Sequence, residues 1–338
     1  MHIPENYLSP ATCGVMTAAM IPVWAHAVKR VKLDLPKEKL PMVGVGASFS
    51  FLAMMFNVPL VGGTTGHAVG GTLLALLFGP DAACIGVSIA LLLQAVIFGD
   101  GGILSFGANC FNMAFILPYL GYFIFKLITT RFSSDKNNTS VELIGAAIGS
   151  YVGMAAAAFC AAVEFGIQPL LFTDSMGNAL YCPYDLSVSI PAMMIPHLAV
   201  AGVVEALFTV AVYSFVKKTA PDLLFSNIKN SSVDSSKSRK PIYILLAILI
   251  IATPLGLLAS GSAWGEWGAD EIADVITGGS VLGYTPAGLE NGWSLNSIMP
   301  DYSLSGLSDN LAYILSAIIG VSLLVIIFKI LALKKERV

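Results

Sequence analysis

The sequence predicts an all-α integral membrane protein: a seven-span core followed by a C-terminal two-span hairpin with a large exterior loop. Three observations carry that prediction. The 338 residues are 56% hydrophobic and only 12% charged, against about 25% charged in soluble domains, so there are too few charges to coat a soluble core of this size. Apolar segments recur near 11–28, 41–57, 66–80, 82–99, 106–126, 141–165, 188–216, 241–260 and 311–333. Most reach the roughly 17–25 residues needed to cross a hydrocarbon core about 30 Å thick. Finally, all 18 Lys and Arg fall in four clusters, Lys29–Lys39, Lys126–Lys136, Lys217–Lys240 and Lys329–Arg337. Nine crossings with the N-terminus outside put every cluster in the cytoplasm, as the positive-inside rule requires.

The first span follows a segment that Pro4 and Pro10 keep from running into it as helix. The third, Gly66 to Pro80, is short and glycine-rich and invites a re-entrant reading. If it failed to cross, the basic clusters would split between the two sides, so it is counted as a crossing. Residues 1–220 form the seven-span core. Residues 221–240, with Ser231, Ser232, Ser235, Ser236, Lys237, Arg239 and Lys240, have the composition of a flexible cytoplasmic linker. Residues 241–338 form the hairpin, with about fifty residues between its spans. The exterior loops are acidic or neutral, carrying Asp100, Asp174, Asp185, Glu266, Asp270, Glu271, Asp274 and Asp301. A multi-pass chain in contact with membrane lipids follows, its N-terminus outside and its C-terminus cytoplasmic. The net charge of -3, without a basic tail, gives no reason to expect nucleic acid.

The five cysteines, Cys13, Cys84, Cys110, Cys160 and Cys182, include no C-x-x-C pair, so neither a disulfide framework nor a zinc ribbon is indicated. They read as small residues packing between helices. The N-terminus has no basic stretch of the kind a secretory signal needs. His2 is too large for the usual removal of an initiator Met, so the mature chain is expected to begin with a free amine on Met1.

Of the four histidines, the topology puts His2 and His67 at the exterior end, His26 near the cytoplasmic end of the first span and His197 within the seventh. A terminal X-His unit can chelate one ion through its amine, its His backbone nitrogen and its imidazole; His67 would complete four nitrogens in a plane. Tetragonal nitrogen sets favour Ni(II) or Cu(II) over Zn(II), imidazole also suits cobalt, and Cu(I) prefers sulfur. The amine and amide must lose protons to bind, so affinity is expected to fall with pH. Intramembrane Glu205 and His197 read as bundle-stabilising, and Asn109, Asn112 and Glu5 as hydrogen-bonding groups around the folded-in N-terminal segment.

The opening Met-His-Ile-Pro-Glu-Asn-Tyr-Leu-Ser-Pro of residues 1–10 resembles that of the CbiM/NikM family, the substrate-capture membrane component of energy-coupling-factor cobalt and nickel transporters. Gly62-Gly63-Thr64-Thr65-Gly66-His67, the run Gln94 to Gly102 and Gly107-Ala108-Asn109-Cys110-Phe111-Asn112-Met113 are similar to that family too, in order, over residues 1–220. The resemblance implies metal ligation by Met1, His2 and His67. Ser262 to Gly268, Pro286-Ala287-Gly288-Leu289-Glu290 and Pro300-Asp301-Tyr302 resemble the small CbiN/NikN companion subunit, which implies a role in metal loading, with Glu266, Asp270 and Glu271 placed to guide a cation.

The expected function is therefore capture of Ni(II) or Co(II) outside a bacterial or archaeal cell membrane and its import. The metal is cargo, and no resident cofactor is expected. No G-x-x-x-x-G-K-[ST] loop is present, so the resemblance implies a separate transmembrane coupling subunit and ATPase subunits as partners. No H-E-x-x-H motif supports an intramembrane hydrolase. A membrane metal sensor or assembly scaffold without transport is the alternative.

Overall fold

A computed structural model describes residues 1–61, 64–132, 138–228, 238–259, 261–277 and 279–333. Each predicted apolar segment contains a helix, the third over only part of its length. Among the described residues, seven helices are long and apolar enough to cross a membrane: α1 (Pro10–Asp34), α4 (Pro80–Phe98), α5 (Phe106–Phe132), α6 (Thr139–Leu171), α7 (Leu186–Thr219), α8 (Lys240–Leu258) and α9 (Asp309–Leu333). Two more are shorter, α2 (Leu40–Met55) and α3 (Gly71–Phe78). Large apolar side chains stand exposed along them, among them Val15, Leu207 and Ile251, as expected where lipid rather than water is the neighbour.

Local chemistry sets the helix starts. The Ser9 hydroxyl accepts from Thr12 N–H at 3.0 Å and Pro10 occupies the first turn of α1, where its missing N–H costs nothing. The Asp185 carboxylate accepts from the N–H groups of Ser187 and Val188 at the start of α7. Packing between α5 and α6 depends on glycine: a Cβ at Gly149 would lie 2.4 Å from the Gly121 carbonyl oxygen, and one at Gly153 would lie 2.6 Å from that of Leu117. Small residues at a membrane helix interface let the backbones approach this closely.

The third predicted span is helical over only half its length. Before it, Val58–Pro59 (β1) and Thr65–Gly66 (β2) pair antiparallel. Residues 67–70 then run without helix into α3, and Gly70 adopts φ 70°, a left-handed conformation open to glycine. Eight helical residues at 1.5 Å and four non-helical ones at no more than about 3.3 Å each span at most roughly 25 Å, short of a full hydrocarbon core. The segment joins both ends of the bundle. Gly79, at the foot of α3, lines a small cleft with Arg30, Asp34, Asp81 and Phe225, whereas His67 lies beside Met1-His2 at the opposite end.

Irregular backbone at membrane depth survives only where protein satisfies its polar groups. Here Glu205 of α7 does so: its carboxylate accepts from Val69 N–H at 2.7 Å and from Gly70 N–H at 2.9 and 3.1 Å. Ser50 of α2 donates to the Val69 carbonyl at 2.6 Å. Glu205 is fully buried, and its bundle role is specific: it caps the broken span that carries His67.

The C-terminal region does not hang free. Helix α9 packs along α2, and α8 touches α2, α7 and α9. The stretch between α8 and α9 folds over the N-terminal end of the bundle. Tyr7 donates to the Trp267 carbonyl at 2.7 Å, Asn6 to that of Trp293 at 3.0 Å, and Met299 N–H to that of Ile97 at 2.8 Å. At the other end the expected linker is partly ordered. Leu223 and Leu224 are buried, Lys39 donates to the Asp222 carbonyl at 2.7 Å, and the Arg239 guanidinium grips the Asp222 carboxylate. Residues 229–237, on which the reading of a flexible linker rests, lie outside the described residues.

Candidate metal centre

The N-terminal segment is threaded into the bundle and held by its backbone. Met1, His2 and Ile3 are all buried. Asn109 grips Ile3 from both sides, accepting from its N–H at 2.7 Å and donating to its carbonyl at 3.0 Å. The same carbonyl accepts from Ser105 Oγ at 2.6 Å and Gly102 N–H at 2.9 Å. Glu5 turns back to accept from Ile103 N–H at 2.7 Å and from Leu104 N–H, at the approach to α5, where a helix start favours negative charge. Gly102 allows this closeness, since a Cβ there would lie 2.7 Å from the Glu5 nitrogen. Asn112, expected beside the segment, instead donates to Glu164 at 2.7 Å. It faces away from the N-terminus because it lies in the π-helical stretch Cys110–Ile116, which re-aims the side chains after Asn109.

This threading sets His2 against His67. Their rings lie 4.9 Å apart, with His67 Nε2 3.1 Å from His2 Nδ1. The nitrogen facing His67 is thus the one that can close a chelate ring with the His2 backbone nitrogen. His67 Nδ1 lies 3.1 Å from the Ala68 carbonyl, a contact that leaves Nε2 directed at His2. The Met1 amine lies 3.3 Å from Glu266 Oε1. A cavity of about 300 Å³ opens on the pair, lined by His2, His67, Asp100, Glu266, Asp301 and Tyr302 among others. Among the described residues no cluster of three or more His, Cys, Asp and Glu side chains is arranged to hold a metal. A site here would therefore have to recruit main-chain nitrogens.

The other sequence candidates fall elsewhere. His26 is exposed at the opposite end, 3.7 Å from Asp81, and His197 is turned to the Met193 carbonyl at 2.7 Å. Of the acidic residues expected to guide a cation, Glu266 lines the cavity and Asp270 and Glu271 do not. Two residues close to the site, Asp100 of the run Gln94 to Gly102 and Tyr302 of Pro300-Asp301-Tyr302, were not singled out as site residues by the sequence. Asp100 Oδ1 lies 3.1 Å from His2 Nδ1, and Tyr302 donates to Asp100 Oδ2 at 2.5 Å. Their nearness depends on a contact between residues some two hundred positions apart.

Fold and site together define a polytopic membrane protein with a pocket at one end that brings His2 and His67 together with the carboxylates of Asp100, Glu266 and Asp301. A family model described as cobalt uptake substrate-specific transmembrane region, CbiM, matches residues 2–223, and a PDGLE domain model matches residues 237–337. The chain belongs to the CbiM family. It is 46% identical over 331 residues to "Probable fused nickel transport protein LarMN" of Lactiplantibacillus plantarum, covering 97% of each chain. It is 41% identical over 336 residues to "Fused nickel transport protein NikMN" of Rhodobacter capsulatus, covering 96% of this chain and 95% of that one. A crystal structure titled as a truncated transition metal transporter superposes with a TM-score of 0.60 at 51% identity, covering 64% of this chain and 99% of that chain. A second, titled as a transition metal transporter, matches with the same TM-score at 52% identity, covering 64% and 93%.

Proposed function

We propose that this chain is the substrate-specificity membrane component of an ATP-driven energy-coupling-factor transporter that captures Ni(II) or Co(II) outside the cell and imports it. The observation that carries the reading is the meeting of a buried Met1-His2 terminus with His67 Nε2, 3.1 Å from His2 Nδ1. The ligands are the Met1 amine, the His2 backbone nitrogen and Nδ1, and His67 Nε2. Two fused chelate rings on one dipeptide hold three nitrogens nearly coplanar, and a planar nitrogen set suits Ni(II). The relatives from Lactiplantibacillus plantarum and Rhodobacter capsulatus, both aligned along nearly the whole chain, carry nickel in their names, which favours nickel as the cargo.

Residues 1–220 act as the capture domain, 221–240 as a cytoplasmic linker and 241–338 as a companion region. The N-terminus faces outward and the basic clusters inward. ATP hydrolysis falls to separate ATPase subunits acting through a transmembrane coupling subunit. The test is purification from native membranes followed by vesicle uptake of nickel. Co-purifying ATPase subunits and ATP-dependent uptake that is lost in His67→Ala support the reading. Nickel binding without ATPase partners or uptake would instead make the chain a sensor or scaffold.

A further inference from the structure

A divalent cation at the proposed ligand set sits in a buried pocket, and four nitrogens do not neutralise it. The deprotonated His2 amide supplies one negative charge, so a net positive charge stays among buried groups. An uncompensated charge away from water is strongly unfavourable. Asp100 stands where compensation is needed. It follows α4 at Gly99 (φ 70°), and its Oδ1 lies 3.1 Å from His2 Nδ1, on the side where that nitrogen meets His67.

Asp100 does not take that orientation unaided. Its other oxygen accepts from the Tyr302 hydroxyl at 2.5 Å and from Gln94 Nε2 at 3.3 Å; Gln94 Nε2 also donates to the Tyr302 hydroxyl at 2.8 Å. Tyr302 belongs to the C-terminal region and is buried. Its ring stacks on Phe98 at 4.8 Å and meets Tyr313 edge-on, and its carbonyl accepts from Ser316 of α9. Asp301 and Tyr302 both have positive φ, 51° and 58°. Two consecutive non-glycine residues in that sparsely populated region persist only where their surroundings over-determine them. Here the result is a hydroxyl placed against the carboxylate beside His2.

We infer that Asp100 supplies the outer-sphere negative charge for the captured cation, and that Tyr302 of the C-terminal region is the positioning residue that aims it. The inference rests on the ligand set proposed above. One end of the C-terminal region is thereby part of the metal centre, two hydrogen bonds from a ligand nitrogen.

The test uses the full chain with its native N-terminus, purified metal-free and titrated with Ni(II) against a competing chelator, with the visible absorption of the bound ion recorded. Outer-shell partners typically change metal affinity by about 10–100-fold. Asp100→Asn should weaken binding by at least about tenfold while leaving the absorption bands of the four-nitrogen ion in place. Tyr302→Phe keeps the stacked ring and should weaken binding by about three- to tenfold. In the Asp100→Asn background it should add nothing, because it acts through that carboxylate. Additive losses, or no loss in Asp100→Asn, overturn the inference. Shifted bands in Asp100→Asn overturn it in favour of direct ligation. A form with one alanine added before Met1 separates the two levels. If it binds like the native chain the ligand set itself fails, whereas lost binding there with unaffected Asp100→Asn refutes only the present inference.

Discussion

Asn109→Ala tests how the N-terminus is held. Asn109 is buried and makes two hydrogen bonds to Ile3. The Ile3 carbonyl keeps its donors from Ser105 and Gly102 when Asn109 is removed, so little is lost on that side. The Ile3 N–H loses its acceptor while still buried. A buried donor left unmet costs about 1–3 kcal/mol, so undocking becomes easier by about that much. At 1.4 kcal/mol per factor of ten, Ni(II) affinity should fall by up to about 5–150-fold, the full loss appearing when docking has no stability to spare. Chelator competition on the native-terminus protein measures this directly. Asn112→Ala, whose partner is Glu164, should change affinity by less than about threefold, within the range of remote substitutions. Binding by Asn109→Ala within about threefold of wild type would refute the argument that this side chain holds the segment.

Glu205→Ala leaves the N–H groups of Val69 and Gly70 without their acceptor in the broken span, and should lower stability by about 2–4 kcal/mol and weaken nickel binding, read from thermal unfolding and titration. Asp222→Asn loosens the junction with the C-terminal hairpin by about 1–2 kcal/mol at neutral pH. The Arg239 guanidinium holds the Asp222 carboxyl below its usual range. The stabilisation is therefore present above the unfolded value and lost as pH falls through the lower folded one, so the unfolding temperatures of variant and wild type should converge below about pH 4. Nickel affinity itself should fall steadily from about pH 8 to 5 as protons compete for the amine, amide and imidazoles; pH-independent binding across that window contradicts the ligand set.

The apolar segments were legible because lipid imposes length and hydrophobicity on every crossing helix, and the third was expected to cross from the distribution of the basic clusters. Its internal break was only half legible. Glycines around His67 announced close backbone approach, yet the non-helical run 67–70 depends on Glu205, 138 positions beyond His67, whose side chain alone looked like a generic intramembrane polar group. The pairing of His2 with His67 followed from topology and motif. Asn109 was singled out correctly, and Asn112 was not, because a π-helical turn falls between them. Asp100 and Tyr302 could not be joined from the sequence. Helical periodicity says nothing about where the stretch between α8 and α9 lands, and it lands on the site.

The central claim is that the Met1 amine is a ligand, and one measurement addresses it most directly: nickel content per chain of the purified protein with its native N-terminus beside a form carrying a single extra alanine before Met1. Every side chain is retained and only the chelating amine is displaced. The native form should hold about one nickel per chain and the extended one essentially none. Equal nickel in both would contradict it and place the metal elsewhere in the molecule.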